Sequence, residues 1–132
     1  PAATGSMTIG VANNTTAVVT STSGRVWTVD YVKGQVEPDI DRLPVRGERP
    51  VHGPVVFSPD GKRFAIGVVG ERYTTYGVRV YDLPRRKVLH TFIGHAGPVS
   101  ALRFTPDGNL LASGAEDTSV LLWDLEKMAK GK

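Results

Sequence analysis

The sequence predicts an all-β chain built from about three small antiparallel sheets of about four strands each, and three observations predict it. A hairpin signature is written twice, in Val55-Val-Phe-Ser-Pro-Asp-Gly-Lys62 and Leu102-Arg-Phe-Thr-Pro-Asp-Gly-Asn109, at an offset of 47 residues. Fifteen glycines and nine prolines are scattered between short apolar runs and are not pooled in one linker, the distribution expected of many strands joined by turns. No segment has sustained helical periodicity; only Leu125 to Lys130 is rich in helix formers, and so short a helix is not stable alone.

Taken in order, residues 1–6 are set outside the fold, because Gly5-Ser6-Met7 reads as a vector-derived junction ahead of a native start. The first unit, residues 7–46, repeats the scheme faintly. Ala17 to Thr22 and Arg25 to Asp30 read as strands around a glycine turn, and Gln35 to Leu43 as the outer strand, where Pro38 belongs because proline cannot donate to a ladder. The second unit, residues 47–93, begins with the first hairpin: proline presets φ, aspartate caps the turn, and glycine takes the positive φ that returns the chain. Its third strand, Gly77-Val-Arg-Val-Tyr-Asp82, matches Ser119-Val-Leu-Leu-Trp-Asp124 of the third unit at an offset of 42. The difference marks an insertion, placed at Glu71-Arg-Tyr-Thr-Thr75. Lys87 to Ile93 is its fourth strand. The third unit, residues 94–126, ends after its third strand, and residues 127–132 read as a tail.

The chain of 132 residues holds 16 basic and 13 acidic side chains for a net charge of +3, with Arg85-Arg86-Lys87 as its one basic triplet. Basic residues interleaved with acids form a solvated face, so nucleic acid and membrane are not expected partners. With no cysteine there is neither disulfide framework nor thiolate metal site. No apolar run approaches the roughly 20 residues that cross a bilayer. A soluble domain is expected, with the compartment open and the cytoplasm its default. His52 and His90 have no second ligand at metal spacing and are expected at the surface or in turns.

The ordered set Gly94-His95, Val99, Leu102, Phe104, Pro106-Asp107-Gly108, Leu111-Ala-Ser113, Asp117 and Trp123-Asp124 resembles a complete WD repeat. The resemblance covers residues 47–126 well and 7–46 loosely. It implies a partial β-propeller of about three blades, in which His95, Ser113, Asp117 and Trp123 form a structural hydrogen-bonded chain. The donor inventory suits that role, because an indole only donates, a carboxylate only accepts, and a hydroxyl and a neutral imidazole do both. A hydrolytic triad of His95, Ser113 and Asp117 is the competing reading, but Ser113 lies in Leu-Leu-Ala-Ser-Gly, not in a Gly-x-Ser-x-Gly elbow. The second unit lacks the set: Glu48, Ile66, Thr75 and Tyr81 stand in place of His95, Ser113, Asp117 and Trp123, so its sheet is expected to rely on apolar packing.

Closed propellers have typically four to eight blades, so the chain is expected to be a fragment of a larger propeller or part of a ring of copies, in which Met7 to Val11 completes a neighbour's sheet. The resemblance implies a non-catalytic platform for protein partners, docking on the loops Arg46 to Gly53, Gly70 to Tyr76, His95 to Pro98 and Ala115 to Thr118. Arg49, Glu71, Arg72, Tyr73, Ala96 and Glu116 are the candidate contacts. The alternative is a small-ligand or sensor propeller attached to a larger signalling protein. No catalytic residue, metal ligand or cofactor is expected.

Overall fold

Residues 7–21, 23–43, 54–69 and 75–127 are described in a computed structural model, and their regular structure is almost wholly antiparallel β-sheet. In chain order the strands are β1 (Met7–Val11), β2 (Thr16–Ser21), β3 (Arg25–Asp30), β4 (Gln35–Arg42), β5 (Val55–Phe57), β6 (Arg63–Val69), β7 (Tyr76–Asp82), β8 (Lys87–His95), β9 (Val99–Phe104), β10 (Leu110–Ala115) and β11 (Val120–Asp124). They group into two compact units, β1–β4 and β5–β11.

The first unit is one sheet of order β1-β2-β3-β4. Asn13 shapes its first turn, its side-chain oxygen accepting from the N–H groups of Thr15 and Thr16 at 2.9 and 3.0 Å. Met7–Val11 does not wait for a neighbour's sheet: it pairs with β2 of its own, from Met7↔Ser21 to Val11↔Ala17. The period-2 pattern explains this, since Ile9 stands directly opposite Val19. Asp39 of β4 accepts from Arg25 on β3 at 2.9 Å, and the Arg25 guanidinium lies 4.3 Å over the Trp27 ring. The carboxyl of Asp39 is held below its ordinary range by that hydrogen bond.

The second unit holds two sheets, of order β5-β6-β7-β8 and β11-β10-β9. The two repeated turns are built alike. Gly61 and Gly108 sit at φ 72° and 76°, conformations that a Cβ disfavours. The hydroxyls of Ser58 and Thr105 donate to Asp60 and Asp107 at 2.6 Å, and the same carboxylates accept from the N–H groups of Lys62 and Asn109 at 2.9 Å. Both carboxyl groups are thereby held below their ordinary range. A core of Ala65, Val78, Val80, Phe92, Val99, Leu102, Phe104, Leu111 and Leu125 joins the two sheets. Leu125 opens a short helical turn over residues 125–127, inside the expected blade boundary, and is buried.

The outer strand of the second sheet runs past the expected Ile93 to His95. It gains its extra length through a bulge: Gly77 pairs with Ile93 but Tyr76 pairs with His95, leaving Gly94 over. Gly77 permits the close approach, since a Cβ there would lie 1.8 Å from the Phe92 carbonyl oxygen. The second sheet has the expected apolar interior, with Tyr81 stacked on Phe64 at a centroid distance of 4.5 Å and Ile66 buried. His90 lies within the expected fourth strand, half-buried and stacked on Phe92 at 5.4 Å, because period-2 alternation turns both rings to one face.

Gly77→Ala should destabilise the protein by more than about 3 kcal/mol, because backbone must move to admit the methyl group. Gly108→Ala, whose Cβ meets nothing nearer than Pro59 at 3.8 Å, should lose only about 1 kcal/mol to its positive φ. Urea titration of both variants checks the ordering.

Candidate functional site

The polar groups of the third sheet are delivered by three elements. β8 ends on His95, the bulge at Gly94 having turned that residue toward the third sheet. β10 carries Ser113 and β11 carries Trp123. Asp117 and Ser119 sit in and just after the turn between β10 and β11. The Trp123 ring fills the space beside Gly94, where an added Cβ would meet it at 3.0 Å, and stacks on Phe92 at 5.1 Å.

These groups form one continuous relay. Trp123 Nε1–H donates to Ser113 Oγ at 2.9 Å, and Ser113 Oγ lies 2.7 Å from His95 Nε2. On the other side of the ring, Nδ1 lies 2.9 Å from Ser119 Oγ, which donates to Asp117 Oδ1 at 2.6 Å. The polarity follows from the two ends. The indole can only donate and the carboxylate can only accept, so Ser119 gives its proton to Asp117 and must accept from Nδ1–H. Ser113, already accepting from the indole, gives its proton to Nε2. A neutral ring protonated on Nδ1 satisfies every atom, and no described buried side-chain polar atom is left without a partner.

The structure thus brings His95, Ser113 and Trp123 into direct contact and places Asp117 one step away, with its Oδ2 3.5 Å from Nδ1. Ser119 supplies the missing link. Its signal was an aspartate followed two residues later by a hydroxyl, the mirror of the Ser-Pro-Asp and Thr-Pro-Asp pairs in the turns. Asp117 also accepts from the N–H groups of Ser119 at 2.9 Å and Ala96 at 2.8 Å. Its carboxyl is held far below the ordinary range, first by the Ser119 hydroxyl, then by the Ala96 and Ser119 N–H groups. Drawing Ser119 in this way holds Thr118 at φ 70°, a region β-branched residues rarely enter.

Ala96 and Glu116, two candidate contacts, are exposed on the loops that Asp117 ties together. Glu116 N–H donates to the Pro98 carbonyl at 2.9 Å, and Gly97 fits so closely that a Cβ would meet Asp117 N at 2.9 Å. Arg49, Glu71, Arg72 and Tyr73, like Glu48 and His52, lie outside the described residues. Among the described residues no His, Asp and Glu cluster forms a metal site.

Residues 86–124 match the family model "WD domain, G-beta repeat". The chain is 37% identical over 59 residues to WD repeat-containing protein 36 of Homo sapiens, covering 45% of this chain and 7% of that protein. It is 42% identical over 50 residues to small ribosomal subunit protein RACK1 of Neurospora crassa, covering 38% and 16%. It is 43% identical over 54 residues to the human serine-threonine kinase receptor-associated protein, covering 41% and 15%. The chain therefore spans no more than a sixth of these relatives' lengths. In fold it is similar to the computationally designed Ika4 protein, with TM-score 0.65, 21% identity, and coverage of 89% of this chain and 64% of that one.

Ser113→Ala should destabilise by roughly 2–3 kcal/mol, because it strands the Trp123 N–H and an imidazole nitrogen in the interior. With Trp123→Phe it should give a coupling energy above about 0.5 kcal/mol in a double-mutant cycle, read from urea midpoints. The depressed Asp117 carboxyl supplies stability that is complete above the ordinary aspartate pKa and is lost as pH falls through the lower folded-state value. Asp117→Asn should flatten that part of the acid-unfolding curve, measured by circular dichroism between pH 5 and the acid limit. Residues 86–124 thus match a WD repeat, and the chain is similar to repeat-containing proteins over less than half of its own length.

Proposed function

We propose that the chain is a non-catalytic platform for protein partners, presented on the loops around Ala96 and Glu116. The single observation that carries this is the clamp beneath those loops. One carboxylate, Asp117, holds the Ala96 N–H from one loop and the Ser119 N–H and hydroxyl from the other. Loops fixed before a partner arrives lose little conformational entropy on docking, which is what a binding surface needs. WD-repeat relatives support the general kind: one printed name describes association with a kinase receptor and another membership of a ribosomal subunit.

The burial of the relay speaks against hydrolysis. Ser113 and His95 are 1% and 2% exposed, and Ser113 Oγ already accepts from Trp123. A nucleophile needs an approach for substrate, and so deeply buried a hydroxyl offers none. The structure does hold a cleft of about 260 Å³ between the two Pro-Asp-Gly turns, but its carboxylates Asp60 and Asp107 are committed to their own turns.

A photo-crosslinking side chain at Ala96 or Glu116 should capture protein partners from a native extract. The same group at Asn109, in the turn at the opposite end of β10, should capture few. Equal or greater capture at Asn109 would place docking elsewhere and overturn the assignment. Retention of any esterase signal in Ser113→Ala would assign that signal to a contaminant, whereas its loss with the fold intact would revive the triad.

A further inference from the structure

The three sheets repeat one another in register. Asp30, Asp82 and Asp124 close the third strand of each sheet and pair with Thr16, Arg63 and Leu110. Counting from these pairs, Val78, Val80 and Gly67 of the second sheet correspond to Val120, Leu122 and Gly114 of the third. On the opposite face, Leu102 and Phe104 of the third sheet correspond to Ile9 and Val11 of the first. Val99 corresponds to Met7, since Val99 pairs with Ala115 and Met7 with Ser21.

The packing of the second sheet on the third shows what covers each face. Val78 and Val80 are fully buried there, and Val99, Leu102 and Phe104 are no more than 8% exposed. A Cβ on Gly67 would meet Val99 Cβ at 3.1 Å, so the glycine is the socket into which that side chain sets. The corresponding positions elsewhere stand open. Val120 and Leu122 on the third sheet are 71% and 65% exposed, and Met7, Ile9 and Val11 on the first are 63–65% exposed. Gly114 has the same socket with nothing in it: a Cβ there meets only Ala101 at 3.8 Å. A glycine at negative φ inside a strand weakens the strand and commonly marks a close approach by another backbone.

We propose that a second copy of this chain covers the open face of the third sheet with its own first sheet, setting Met7 against Gly114 as Val99 sets against Gly67. Both complementary halves lie on the same chain, one a face that the second-to-third-sheet contact would bury and the other the kind of face that buries it. The contact is head to tail, so it closes only if the rotation allows. Counting the sheets of the described residues, two copies bring six, within the four to eight of closed propellers, while three bring nine, so the proposed assembly is a pair. Arg103 replaces Val56 at the inner strand of the open face, by the pairs Ala112↔Arg103 and Ala65↔Val56, making this contact more polar than the internal one. Pairing of copies is independent of partner docking at the Ala96 and Glu116 loops, so either can fail alone.

The chain contains no cysteine, so introduced thiols report cleanly. Met7→Cys chains mixed with Gly114→Cys chains under mild oxidation should form a disulfide-linked pair, since the Gly67 and Val99 geometry lies near disulfide reach. Neither variant should link to itself. Light scattering of the unmodified chain should give twice its 14.2 kDa mass. Adding Leu122→Asp to the Gly114→Cys chain, or Ile9→Asp to the Met7→Cys chain should one of these fail to fold, should abolish the link with the strand signature retained. A single-chain mass without linkage, a mass of three copies or more, self-linkage as strong as mixed linkage, or a link that survives the aspartate would each overturn the proposal.

Discussion

One buried hydroxyl holds the second unit in its arrangement. Ser113 accepts a hydrogen bond from the indole of β11 and donates one to an imidazole that arrives on β8, the outer strand of the neighbouring sheet. Apolar packing alone draws two sheets together but does not fix how far one slides along the other. Directed bonds on both sides of one oxygen do. The bulge at Gly94, the close approach at Gly77 and the stacking of Trp123 on Phe92 all serve to bring the imidazole to that oxygen. The relay runs on to Asp117, so the same chain of bonds that sets the interior also sets the surface loops.

The second sheet carries apolar and aromatic side chains where the third carries its buried hydroxyl and indole. Ile66 and Tyr81 stand at the register positions of Ser113 and Trp123, and both are buried, Tyr81 stacked on Phe64. A half-built network would strand donors in the interior. The first sheet uses a third device, a charged pair between Arg25 and Asp39 beside Trp27. That pair is partly exposed, and exposed pairs contribute little.

Much of this was legible in the residues because each device is local. The Pro-Asp-Gly turns declare themselves by spacing, and the structure builds both in one way, down to the hydroxyl that precedes each proline. The strands around them follow from alternation. The pairing of Ser119 with Asp117 has a local signal, but its tie to the imidazole was not legible, because it depends on Nδ1 lying within reach, and that distance is set by a bulge in another sheet. A ring of copies would use Met7–Val11 to complete a neighbour's sheet, but its own alternation already matches β2.

The bulge has a consequence for inheritance. Because His95 belongs to one sheet by its backbone and to the next by its side chain, the motif that begins at Gly94 does not encode a sheet; it encodes a seam. Duplicating such a stretch of gene copies the fastening along with the strands it fastens. An array can then lengthen by whole units without inventing new joints, and each added unit arrives already fitted to the one before it.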